Sequence, residues 1–143
     1  MGTRRQAREW AVQMLFQLDF NPPEKLEDLF DSFWQDEKPE EDIRDFAIRL
    51  VTGVWEDRIE INKVLAESAE HWDVSRMGVV DRNVMRMAIY ELLHCTDIPP
   101  VVSINEAVDI AKYFSSSESG RFVNGILDRV RKGLTRPARK SSE

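Results

Sequence analysis

Arg4, Arg5 and Arg8 crowd into the first eight residues, which hold no acidic residue. Thr3 is a fitting N-cap for a helix over about residues 4–19, because its hydroxyl can accept from an amide left free in the first turn. On that helix Arg4 and Arg8 are four positions apart and share a face, with Arg5 beside them. Arginine at a helix N-terminus opposes the macrodipole, which favours anions there, at a cost of roughly 0.3 kcal/mol each. A solvated surface has no use for that placement. Phosphate explains it: guanidinium forks match phosphate oxygens, and helix-end amides add donors. The chemistry expected is RNA binding, with a plain solvated surface as the competing account.

Two further segments carry candidate residues. In Glu118-Ser119-Gly120-Arg121-Phe122-Val123-Asn124-Gly125, Phe122 can stack on an unpaired base if exposed, and Asn124 offers both a donor and an acceptor. Phe122 also fits the apolar stripe of a helix, so core packing stands beside the stacking reading. Gly125 interrupts an apolar helical pattern, where glycine costs about 1 kcal/mol relative to alanine. Close approach of a ligand or a tight helix crossing would account for it. Asp81-Arg82-Asn83 and Arg86 fall on the polar side of another helix, where Asp81 is a candidate cap for the first turn.

Catalytic chemistry is not expected. His71 and His94 lie on different helices, without Cys, Asp or Glu at zinc-ligand spacing. His94 and Cys95 are adjacent, so on a helix they diverge by about 100° and cannot form a base–nucleophile pair; Cys95 reads as a small buried hydrophobe. The phosphate-loop, dinucleotide, nucleophile-elbow and zinc-protease motifs are absent. Neither metal nor cofactor is expected.

These residues must be positioned by helices. Apolar residues recur at helical spacing almost throughout, and no alternating strand is evident. The first helix buries Ala7, Ala11, Met14, Leu15 and Leu18, with Trp10 at its edge; Pro22-Pro23 stops it. Leu26, Leu29, Phe30, Phe33 and Trp34 mark a second. Pro39 falls in the first turn of a third, striped by Ile43, Phe46, Ala47, Leu50, Val51 and Val54. The stripe continues through Ile61, Leu65, Ala69 and Trp72, with a break expected between residues 56 and 60. All four tryptophans are read as core, Trp55 being the most exposed. A turn at 73–75 precedes a helix over about 79–95. Ser103 to Glu106 fits a capping box opening the next, residues 115–120 read as a loop, and a last helix runs from Phe122 to about Gly133. The prediction is an all-α fold of about seven helices, as one domain over 1–133 with helical subdomains of about 1–72 and 73–133, followed by a basic flexible tail over 134–143.

The bulk numbers agree. A chain of 143 residues, 42% hydrophobic and 32% charged, can bury one core. One cysteine excludes an internal disulfide, which suits a reducing cytoplasm. No run of about 18 apolar residues occurs, so no membrane contact is expected. The net charge of −6 argues against nucleic acid only as a sum. Ten acids in residues 24–45 separate the basic start from Arg121, Arg129, Arg131, Lys132, Arg136, Arg139 and Lys140. If the two ends meet, they form one positive patch.

The stretches RRQAREWAVQMLFQLD, DRNVMRMAIYELL, IPPVVSINEAVDIAKYF and ESGRFVNGILD resemble the NusB family of transcription antitermination factors. INEAVDIAK followed by FVNGILD is the most specific part, while residues 26–75 match in helical pattern more than in letters. The resemblance implies an all-α, non-catalytic RNA-binding protein of the cytoplasm. With ribosomal protein NusE it would recognise boxA-type leader RNA of ribosomal RNA operons. It would then join RNA polymerase and other Nus factors against premature termination. By position, Arg4, Arg5 and Arg8 correspond to the family's basic helix start, and Phe16 to a contact position often occupied by Tyr. The same correspondence assigns Arg86, Glu118, Phe122 and Asn124 to the RNA, and Asp81 and Arg82 to the partner. The basic run is thinner than in arginine-richer members, since Gln6 interrupts it. A homodimer is left open. The alternatives are a protein-only helical adaptor or a ribosome-assembly factor. The relative fused to an RNA cytosine methyltransferase has a glycine-rich cofactor segment that this sequence lacks.

Overall fold

In the computed structural model, which describes residues 3–70 and 72–134, Thr3 caps the first helix: its Oγ1 accepts from the Gln6 amide at 3.2 Å. That helix, α1 (Arg4–Phe20), stops just before Asn21-Pro22-Pro23. Then come α2 (Leu26–Trp34), α3 (Glu41–Glu56), α4 (Arg58–Ala69), a 3-10 turn (Val74–Arg76), α5 (Val79–His94), α6 (Pro100–Phe114) and α7 (Ser117–Gly133). The described residues are therefore all-α, as the periodicity predicts. The expected break in the long stripe is a single residue, Asp57, between α3 and α4.

The helix α5 is the hub. It packs against α1, α3, α4, α6 and α7, and Val84, Met85, Met87, Ala88, Ile89 and Leu92 are wholly buried on it. A helix apolar on most sides belongs in the middle of a core. Its neighbours on both sides of residue 73 contribute to one continuous hydrophobic cluster. The six-residue stripe of α3, from Ile43 to Val54, is buried throughout. No described helix is long and apolar enough to cross a membrane.

Several local expectations need correction. Pro39 lies outside α3, one residue before its N-cap Glu40. Ser103 does not cap α6, because Pro100 already supplies a preset φ at the first helical position and starts the helix a turn earlier. The expected loop over 115–120 shrinks, since the Ser116 hydroxyl accepts from the Ser119 amide and opens α7 at Ser117. A Cβ on Gly125 would meet nothing within 4 Å, so a tight helix crossing does not explain that glycine. The tight approach is at Gly53 instead, where an added Cβ would overlap the Tyr90 ring.

Cys95 is buried, as expected, and burial pushes its thiol up to about 11. His71 and the basic residues Arg136, Arg139 and Lys140 lie outside the described residues.

Candidate nucleic-acid interface

The arginines at the start of α1 have three different environments. Arg4 is exposed, its guanidinium carbon 4.4 Å from the centre of the Phe46 ring. Arg5 grips α6 as a fork: Nε donates to Glu106 at 2.8 Å, and Nη2 donates to Glu106 at 2.6 Å and to Asp109 at 3.0 Å. Arg8 is 3% exposed and belongs to the core. It donates to both carboxylate oxygens of Glu91, at 2.9 and 2.8 Å, and to Glu106 at 3.3 Å. Ser103, one helix away, donates to Glu91 at 2.8 Å. Burial works against the Arg8 charge, but the hydrogen bonds and charge of Glu91 outweigh it and hold the guanidinium ionised. Arg8 thus cross-links α1 to α5 and α6. As a phosphate contact it is replaced by this structural role, because i, i+4 spacing fixes a shared face but not which residue of that face meets the core.

Glu106 is held below the usual carboxylate range, chiefly by the Arg5 hydrogen bonds. A depressed carboxylate adds stability above its ordinary pKa and loses it as pH falls through the lowered one. Glu106→Gln is therefore expected to be less stable than the parent near pH 7. The gap should close on acidification below the normal glutamate range, as followed by urea midpoints across pH.

The basic ends face different helices. Arg129 donates to the Ser68 carbonyl on α4 at 3.1 Å, while Arg131 and Lys132 are held by Asp128 at 2.6 and 3.1 Å.

The second constellation does assemble in part. Phe122 is half-buried and meets Trp72 edge-on, with ring centroids 5.1 Å apart. Together with Asp81, Glu118, Ser119 and Arg76 they line a cleft of about 260 Å³. Asp81 sits in the first turn of α5 without capping it; Oδ2 accepts from the Ser119 hydroxyl at 3.2 Å, while Oδ1 is buried without a partner. Burial raises its pKa, an effect that Ser119 only partly offsets. Asn124 is exposed but two residues from Phe122, and so points elsewhere around α7.

Trp72 is the residue that sequence reasoning misplaced. It is 60% exposed, beyond the end of α4, rather than core.

Arg82 and Arg86 turn inward to Asp19 of α1, at 3.2 and 3.0 Å. Arg86 also donates to Asn62 at 2.8 Å, and the buried Asn83 donates to Asp19 at 2.8 Å. Phe16 is 41% exposed and lines an apolar groove of about 360 Å³ with Val12, Val80 and Phe114.

One grouping was invisible in the sequence. His94 Nε2 lies 2.6 Å from Asp57 and 3.7 Å from Glu60, at the α3–α4 break. The carboxylates are more than thirty positions from the histidine, so local ligand spacing could not reveal them.

The NusB family's sequence model matches residues 5–132. The transcription antitermination protein NusB of Desulforapulum autotrophicum is 51% identical over 92% of this chain and 92% of its own length. The solved T. maritima NusB is 40% identical with a TM-score of 0.84, covering 92% of each chain. A chain in the crystal structure of antitermination factors NusB and NusE in complex with dsRNA is 26% identical. Its TM-score is 0.82, over 92% of this chain and 97% of that one.

Proposed function

The chain belongs to the NusB family, and from that premise we propose that it is a transcription antitermination factor. It binds boxA-type leader RNA of ribosomal RNA operons together with NusE and helps RNA polymerase resist premature termination. The observation that carries this reading is the likeness, over 92% of the chain, to a structure containing NusB, NusE and RNA.

The chain's own residues supply suitable chemistry. Arg4 and Arg5 stand at the helix start, where a phosphate also meets free amides. Trp72 and Phe122 offer ring surface to an unpaired base, flanked by Glu118, whose carboxylate accepts from base amino groups. Phosphate contacts give affinity and salt dependence; base contacts give preference. NusE docks beside the start of α5, near Asp81 and Arg82, and extends the surface, so RNA and NusE each tighten binding of the other.

The apolar groove at Phe16 favours a second reading, a protein-only adaptor. Fluorescence anisotropy separates the two. A labelled boxA-type RNA is expected to bind more tightly than a scrambled one, with a margin that widens when NusE is added. Equal, negligible binding of both RNAs with NusE present would leave the adaptor.

A further inference from the structure

One arginine that would meet RNA, Arg5, is already neutralised from within. Of Arg4 and Arg5, Arg5 faces two carboxylates, Glu106 and Asp109, while the core residue Arg8 holds Glu91 and shares Glu106. Glu91 is wholly buried and bonded by Arg8, and Glu106 is shared between Arg5 and Arg8. Asp109 is different: it is 53% exposed, and Arg5 Nη2 donates to it at 3.0 Å. A carboxylate oxygen on that Nη2 stands where a phosphate oxygen would stand in a bidentate arginine–phosphate pair.

We propose that Asp109 is an affinity-setting residue that acts through Arg5 as an internal substitute for RNA phosphate. RNA must displace it to use both faces of the Arg5 fork, while Glu106 keeps that fork aimed. This rests on the RNA-binding reading above. The spacing of Glu106 and Asp109, three positions apart on α6, puts both on one face toward α1. In the free protein the exchange costs the Arg5–Asp109 pair. In the complex the released Asp109 takes up a solvent cation again, which offsets part of the counterion release from the RNA.

The test is a double-mutant cycle read by anisotropy with a single-stranded boxA-type RNA, using the parent, Asp109→Asn, Arg5→Ala and the double variant. Asp109→Asn is isosteric at a half-exposed site, and its Tm reports whether the fold is kept. Its RNA affinity is expected to rise by about three-fold, the scale of an exposed ion pair, with a steeper salt dependence. In the Arg5→Ala background the same substitution should change affinity by much less, because the residue it acts through is gone. The proposal is overturned if Asp109→Asn binds no tighter than the parent, or gains as much without Arg5, which would make it a general charge effect. If the parent and Asp109→Asn both fail to bind RNA even with NusE added, while remaining folded, the RNA-binding reading falls and this proposal with it. Binding by Asp109→Asn alone would support both.

Discussion

Glu91→Ala is expected to destabilise the protein by about 3–5 kcal/mol, because it strands the Arg8 guanidinium in the core without its counter-charge. For a domain of this size that lowers the Tm by roughly 10 °C. The pair is fully enclosed: Arg8 is 3% exposed and Glu91 is 0% exposed. Arg8→Ala should cost a similar amount, now leaving the carboxylate with Ser103 as its remaining donor. The informative variant is the double replacement Arg8→Met/Glu91→Leu. Two apolar side chains of similar volume remove both desolvation costs, and such replacements are often neutral or stabilising. The double variant should therefore recover most of what either single variant loses. Thermal and urea unfolding of the four proteins gives the cycle directly. Single variants as stable as the parent would mean that the charges are solvated in solution and that α1 does not dock as described.

Trp72→Ala is expected to weaken RNA binding by about ten-fold, the scale of one base stacked on an aromatic ring. Its effect on stability should be small, since the ring is 60% exposed and its ring contact is Phe122. Trp72→Phe keeps a stacking face and should retain much of the affinity. The comparison matters because Phe122→Ala would also remove half-buried surface and confuse binding with folding. Unchanged affinity for Trp72→Ala, with the Tm preserved, would move the base-reading surface away from this cleft.

The same two residues show what was legible from the chain alone. Helix existence was legible, because burial at Ile43, Phe46, Ala47, Leu50, Val51 and Val54 follows the 3.6-residue period directly. Chain breaks were legible where proline or a lapse in the stripe announces them, as at Pro22-Pro23 and Asp57. Trp72 was not. It continues the spacing of Leu65 and Ala69, but the backbone leaves the helix at Glu70, where φ is 53°, and the next aromatic of the stripe goes outward. Periodicity gives a face only while the helix lasts.

The role of Arg8 was hidden for a different reason. Its partner is 83 residues away, and the only local hint was a lone acid between Tyr90 and Leu92 in an apolar helix. Glu106 and Asp109 were closer to legible. Their spacing on α6 marks an acidic face opposite a basic one, yet nothing local says that the two faces meet. Asp81 and Phe122 came together because α5 and α7 both pack at one end of the fold, which again is a tertiary fact.

The bond between Arg8 and Glu91 also has a consequence in time. The N-terminal helix leaves the ribosome first, but its buried arginine has no counter-charge until Glu91 and then Glu106 have been made, 83 and 98 residues later. At about 5–20 residues per second that interval is roughly 4–20 s. Through it, the apolar side of α1 can find α3, while the guanidinium of Arg8 must stay hydrated. The first helix is thus locked only once α5 and α6 exist, and a nascent chain halted before α6 carries Arg5 without its partners Glu106 and Asp109.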